Sequence, residues 1–188
     1  RDLRMSRGLG DVYKRQDQAT SFIQQHYKNF SSMSWVYSCG AGANYGTALE
    51  SALKMGETIH IPSCCYEIEE YIHGPNLQLT PQYNVIFFDG NDGASRRVEQ
   101  VYKATRKVTN RAYLISNNPQ LSRDGHVLSL SDTVSSELSP LVYLPFVQLL
   151  SFIVSNDLHS IYQHPLLKEF KAIAAAKTEN FVNYDGDD

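Results

Sequence analysis

Trp35-Val36-Tyr37-Ser38-Cys39-Gly40-Ala41-Gly42-Ala43-Asn44-Tyr45-Gly46 is the stretch on which the fold turns. Its first four residues are a short run of strand formers, and they lead straight into a glycine-rich turn. From there to about Ile59 the chain is made of good helix formers, Ala48, Leu49, Glu50, Ala52, Leu53 and Lys54 among them. Strand, turn and helix in that order open an α/β unit. Gly40, Gly42 and Gly46 are spaced G-x-G-x-x-x-G, one residue longer than the dinucleotide fingerprint. The turn therefore reads as a generic tight strand-to-helix connection rather than a nicotinamide site. It still aims helix N–H groups at whatever lies above the sheet.

Working outward, the same alternation recurs. Residues 17–30 read as a helix, with Ala19, Phe22, Ile23 and Tyr27 at compatible spacing. A second strand is expected over 61–66, then a short acidic helix over 67–72 that stops at His73-Gly74-Pro75. The apolar run 84–89, closed by Gly90-Asn91-Asp92-Gly93, suits a buried parallel strand. Val98, Val101, Tyr102, Thr105 and Val108 mark an amphipathic helix. Strands are expected over 111–116 and 127–130, and a long apolar helix over 138–159 before a polar tail. The expected fold class is α/β, a mainly parallel sheet flanked by helices on both faces.

The 188 residues, 42% hydrophobic and 20% charged, fit about one domain and exclude a disordered tail, a collagen or a coiled coil. A net charge of −3 argues against a surface built to grip nucleic acid. Three cysteines, two of them adjacent, are no disulfide framework, so a reducing, cytoplasmic setting is expected and buried thiols at Cys64 and Cys65. Residues 1–16 carry five basic and two acidic side chains, with neither an apolar stretch nor helical periodicity. They read as a leader foreign to the natural chain, which is expected to begin further upstream. The most apolar stretch, 141–154, is interrupted by Pro145 and Gln148 and falls short of the roughly 20 residues a bilayer needs. A core or subunit-interface helix is expected there, and no membrane partner.

The candidate chemistry begins on the helix after the glycine turn. Glu50, Lys54 and Glu57 fall at i, i+4 and i+7, within an arc of roughly 60° at 100° per residue. On an arbitrary helix this is a solvated, ion-paired face. On a helix springing from the carboxyl edge of a parallel sheet, where open α/β folds hold ligands, a functional role gains weight. Glu70-x-x-His73 has a di-iron spacing but occurs once, and Cys64, Cys65, His60 and His73 have no zinc spacing, so no metal is expected. Arg96, Arg97, Lys103, Arg106 and Lys107 read as a solvated helix face.

Three segments together resemble one family. They are Thr47–Pro62 (TALESALKMGETIHIP), Tyr66–Pro75 (YEIEEYIHGP) and Ala176-Lys177-Thr178. They look like the second sugar-isomerase (SIS) domain of two-domain phosphosugar isomerases, over roughly Trp35 to Lys177. The resemblance implies an SIS-type three-layer αβα sandwich over 17–165 and a tail, 166–188, that closes over the active site. It implies Glu57 as the general base between C1 and C2 of an open-chain sugar. It implies His73 as the ring-opening histidine, donated in some relatives by the neighbouring subunit, and Lys177 as a tail lysine over the sugar. Glu50 and Lys54 would line or brace the pocket, with Gly40, Gly42 and Asn44 at the substrate-binding turn. No metal or organic cofactor is required.

These residue types suit that chemistry in their own right. A ketose phosphate reacts only in its open form, and imidazole titrates in the range needed to shuttle the ring proton. Enolisation then needs a carboxylate beside the carbon acid, which Lys54 would help keep ionised. The Ser/Thr-rich phosphate loop, S-x-S-G-x-[ST], of a first SIS domain is absent, so the chain alone is expected to be inactive and to need an N-terminal SIS domain. Glu69 and Glu70 before the histidine resemble the acidic approach to HGP in several deglycase-like members of the family, and this resemblance tilts the reading toward a deglycase that cleaves fructosamine 6-phosphates, such as fructoselysine 6-phosphate, to hexose phosphate and amine. The alternative is the isomerase domain of a glucosamine-fructose-6-phosphate aminotransferase. A third reading, of another class, is a phosphosugar-binding regulatory domain without turnover. The expected partners are a phosphorylated amino sugar or ketose and further copies of the chain in a homodimer or larger assembly.

Overall fold

The computed structural model describes residues 2–130, 134–160 and 173, with side chains described from residue 13 onward. Five strands run in parallel: β1 (Val36–Gly40), β2 (Ser63–Glu67), β3 (Asn84–Asp89), β4 (Ala112–Ser116) and β5 (Val127–Ser129). Their order across the sheet is β2-β1-β3-β4-β5. The helices are α1 (Asp2–Gln25), α2 (Tyr27–Ser31), α3 (Ala43–Ile59), α4 (Ile68–Ile72), α5 (Ser95–Thr105) and α6 (Ser139–Asp157). This is the three-layer α/β sandwich expected from the alternation of strand and helix.

Two apolar layers sandwich the sheet because successive residues of a strand face opposite ways. Ile86, Phe88, Tyr113, Ile115 and Leu128 face one layer, with Phe22 and Ile23 of α1, Met55 of α3, and Val147 and Leu150 of α6. Val85, Phe87, Leu114 and Val127 face the other, with Ile68 and Tyr71 of α4 and Val98, Val101 and Tyr102 of α5. The crossover β1–α3–β2 moves outward and β2–α4–β3 moves back past β1. Right-handed crossovers in opposite directions put their helices on opposite faces. That division governs the site.

The differences from the sequence reading have local causes. The first helix extends back to Asp2 and ends at Gln25, not Phe30. His26 leaves helical geometry at φ −107° and ψ 13°, and its Nε2 donates to the Gly125 carbonyl at 2.7 Å. The glycine-rich turn is only two residues long. Cys39 and Gly40 belong to β1, and α3 already begins at Ala43. β2 starts at Ser63 rather than at residue 61, after Pro62, and α5 stops at Thr105, leaving Val108 exposed.

Cys64 is exposed and Cys65 half-buried, because β2 is an edge strand; only Cys39, one strand inward, is fully buried. Pro145 does not break α6. With the preceding turn the apolar segment Ser136–Asp157 spans 22 residues and contains an 18-residue stretch of mean hydropathy 1.7, long and apolar enough to cross a bilayer by length and composition. Half of that stretch is buried inside this domain, and the helix packs on α1 and α3, which is the behaviour of a core helix. Leu141 and Phe152 point outward, 68% and 63% exposed.

Candidate functional site

Gly40 ends β1 where α3 turns back over it. A side chain here would collide with the backbone carbonyl of Asn44, whose carbon would lie 2.7 Å from a Cβ. Gly42, the residue before α3, has φ +55°, in the region that favours glycine. Both glycines are thus demanded by the turn, whereas Gly46 faces open space. Asn44 is buried, and its amide donates to the Ser139 hydroxyl at 2.8 Å while accepting from Thr47 at 3.0 Å. Its side chain ties the start of α3 to the start of α6.

The strand order reverses between β1 and β3, which is where open α/β sheets form their ligand crevice. A cleft of about 370 Å³ lies there, lined among the described residues by Gly42, Ala43, Asp92, Gly93, Ala94, Ser136 and Glu137, none of them basic. Beneath it sits the buried Asp89 at the end of β3. Its carboxyl oxygens accept from the Ser95 hydroxyl, from Ser116 at 2.7 Å and from the Asn91 N–H at 3.0 Å. Its carbonyl accepts from Tyr143 at 2.6 Å. One residue thus joins β3, β4, α5 and α6. Two carboxyl groups on the cleft wall make it a poor phosphate cradle. Asp89, Asp92 and Glu137 went unnoticed in the sequence, where the only signal was an apolar run ending in Asp before a Gly-Asn-Asp-Gly turn.

The ridge of α3 presents Glu50, Lys54 and Glu57 together, as their spacing predicted. Lys54 Nζ is 2.8 Å from Glu57 Oε2 and 3.6 Å from Glu50 Oε1. The hydrogen bond to Glu57 holds the ammonium above its ordinary range, against slight desolvation and with help from Glu50. Half of the Glu57 side chain is exposed and a third of that of Lys54. At 1.5 Å per residue, Glu57 lies about 21 Å along the helix from Ala43, well away from the crevice.

His73 lies elsewhere. It caps the carboxyl end of α4, with its N–H on the Glu70 carbonyl at 3.1 Å and its side chain in solvent. α4 belongs to the layer with α5, and α3 to the layer with α1 and α6. Glu57 and His73 therefore sit on opposite faces of one sheet. A single copy does not bring them together. Lys177 lies outside the described residues.

The acidic residues before His73 build α4. The Glu67 side chain accepts from the Glu69 N–H at 2.6 Å, and Glu70 Oε2 accepts from the Glu67 N–H at 3.2 Å, a reciprocal cap. Glu69 takes a two-pronged bond from Arg97 of α5, at 2.7 and 3.0 Å, and the guanidinium holds this carboxyl below its ordinary range. Arg97 is therefore a tie between helices rather than part of a purely solvated face. Among the described residues no group of three His, Cys, Asp or Glu side chains is placed to hold a metal ion.

No protein-family model matches the chain. In sequence it is 30% identical over 131 residues to the isomerizing glutamine–fructose-6-phosphate aminotransferase of Methanothermobacter thermautotrophicus, covering 68% of this chain and 22% of that protein. Among solved structures it matches a Clostridium difficile protein classed with the phosphosugar isomerases, at TM-score 0.75 and 18% identity over 94% of this chain and 50% of the other. It also matches the C-terminal domain of glucosamine-fructose-6-phosphate aminotransferase from Francisella tularensis, at TM-score 0.66 and 22% identity over 81% of this chain and 44% of the other.

The chain has the fold of the SIS class of α/β domains. Within that class it is similar to the C-terminal SIS domain of two-SIS proteins, as the three sequence segments implied. It spans 20 to 25% of the length of the curated relatives it matches.

Proposed function

We propose that this SIS domain forms the C-terminal part of a longer enzyme that moves a proton between C1 and C2 of an open-chain ketose 6-phosphate or its 1-amino derivative. The observation that carries the proposal is the Glu50–Lys54–Glu57 ridge, a carboxylate held against an ammonium on the segment that resembles the family's base-bearing helix. Glu57 takes the proton, and Lys54 offsets the negative charge that develops on the enolate or enaminol oxygen. His73 protonates and deprotonates the ring oxygen and hemiketal hydroxyl as the ring opens.

Because Glu57 and His73 face away from each other within one copy, the complete site takes its histidine from a neighbouring copy in a homodimer or larger assembly. Leu141 and Phe152 on the outer side of α6 are apolar surface available to such an assembly. An N-terminal SIS domain holds the phosphate, in keeping with the acidic lining of the crevice here. Gly40 and Gly42 shape the turn, Glu50 braces Lys54, and Lys177 closes over the sugar from the tail. The scheme needs no cofactor and suits a cytoplasmic enzyme.

The substrate preferred is a fructosamine 6-phosphate, cleaved to hexose phosphate and amine. A second reading, the isomerase half of a glutamine-dependent aminotransferase, is favoured by the curated relatives, five of which carry that name. The full-length protein separates them: release of free amino acid from fructoselysine 6-phosphate without glutamine marks the deglycase. Glucosamine 6-phosphate formed only with glutamine marks the synthase. Glu57→Gln tests what both share, since it keeps phosphosugar binding and abolishes exchange of the C1 or C2 proton with solvent. Retained exchange removes Glu57 as the base. Binding without exchange in the unmutated protein leaves a regulatory domain.

A further inference from the structure

Five residues are too few for a helix to persist on its own propensity, so α4 exists because its surroundings hold it. Ile68 and Tyr71 anchor its inner side, and the Tyr71 hydroxyl meets Thr105 at 2.9 Å. The reciprocal Glu67–Glu70 cap fixes its first turn. Among the described residues no hydrogen bond holds the imidazole of His73. The ring goes where the end of α4 and the Gly74-Pro75 step carry it. On the outer side of α4, one turn before His73, the two-pronged bond from Arg97 to Glu69 is a second polar side-chain tie to α5, beside that of Tyr71 to Thr105 on the inner side.

We propose that Arg97 is the positioning residue for His73, acting by locking Glu69 of α4 against α5. A fork of two parallel N–H···O bonds constrains rotation of the helix about its axis, where a single bond would leave a pivot. α5 in turn is a regular helix seated on the sheet through Val98, Val101 and Tyr102, so it is a rigid reference for the short helix beside it. The fork has a second effect. Glu69 lies one turn before His73, and both of its carboxylate oxygens are engaged by Arg97. The imidazole is thereby kept from folding back onto a neighbouring carboxylate and stays presented outward.

The proposal rests on the reading in which His73 opens the sugar ring, and the test separates the two. In the full-length protein, solvent exchange at C1 is followed by NMR with fructose 6-phosphate and with its 5-deoxy analogue. The analogue has no 5-hydroxyl and cannot close a ring. Arg97→Gln is expected to lower kcat on fructose 6-phosphate about tenfold, with KM within about twofold, and to leave exchange of the analogue unchanged. The exchanged pair Glu69→Arg with Arg97→Glu is expected to recover kcat to within about threefold. An equal loss on both substrates makes Arg97 merely structural and overturns the proposal. So does an unchanged kcat in Arg97→Gln when His73→Ala is impaired on fructose 6-phosphate. If His73→Ala is itself unimpaired on both substrates, the ring-opening role fails first and the positioning role goes with it.

Discussion

The carboxyl edge of the sheet and the outer ridge of α3 both gather carboxyl groups, and they do opposite things with them. At the edge, Asp89 is buried and its carboxyl oxygens take three donors, one each from the β3–α5 connection, α5 and β4. On the ridge, Glu50 and Glu57 share one ammonium in contact with water. Buried donors and acceptors are costly to orphan, whereas exposed ion pairs contribute little to folding. The edge is therefore where this molecule keeps stability, and on the proposed function the ridge is where its chemistry lies, although the fold rule for open sheets would send a ligand to the edge.

That contrast is sharpened most by Glu57→Gln. Proton exchange by the full-length protein should fall about a thousandfold, within the range expected for loss of a general base, with the melting temperature unchanged. Asp89→Ala should do the reverse. It orphans two buried hydroxyls and the Asn91 N–H and should cost about 3 kcal/mol of stability by urea unfolding. Tyr143→Phe removes the bond to the Asp89 carbonyl and should cost about 1 kcal/mol in the same measurement. If the Asp89 variant unfolds no more readily than the Glu57 variant, the division between edge and ridge is wrong.

The smallest effect is one of pH. Burial lowers the affinity of the His126 imidazole for a proton, helped by Arg106 and by His26, whose ring centroid is 4.8 Å away; Asp124 and the Asn110 backbone work against it. The unfolded chain then binds the proton more readily than the folded one. Stability should be full above about pH 6.5 and decline as the pH falls through the window below it. The expected change is about 2 °C in melting temperature, and His126→Gln should flatten it. Asp124 adds a separate loss below its ordinary value of 3.8: burial opposes its charge, but the His126 N–H and the Tyr102 hydroxyl hold it lower.

Much of the architecture was readable in advance. The run 84–89 is β3 residue for residue, and the acidic segment before His73 is α4 with Glu67 as its cap. Periodicity and turn residues are local properties, and these elements are decided locally. Exposure of Cys64 was not readable, since it depends on β2 being outermost in the sheet. The mutual placement of Glu50, Lys54 and Glu57 was readable from helix geometry. The separation of Glu57 from His73 was not, because it follows from the direction of two crossovers and becomes visible only with the strand order. The functions of Glu69 and Glu70 were also hidden: both build α4, one through Arg97 and one through the cap.

The open side of β2 has a practical consequence. Cys64 offers its thiol to solvent, Cys65 is half-covered with burial raising its affinity for a proton, and Cys39 is sealed in the interior. A maleimide dye will therefore attach first at position 64, three residues before the cap of α4. A fluorophore there turns the margin of the molecule into its own reporter, reading by quenching or energy transfer the moment a second chain draws alongside.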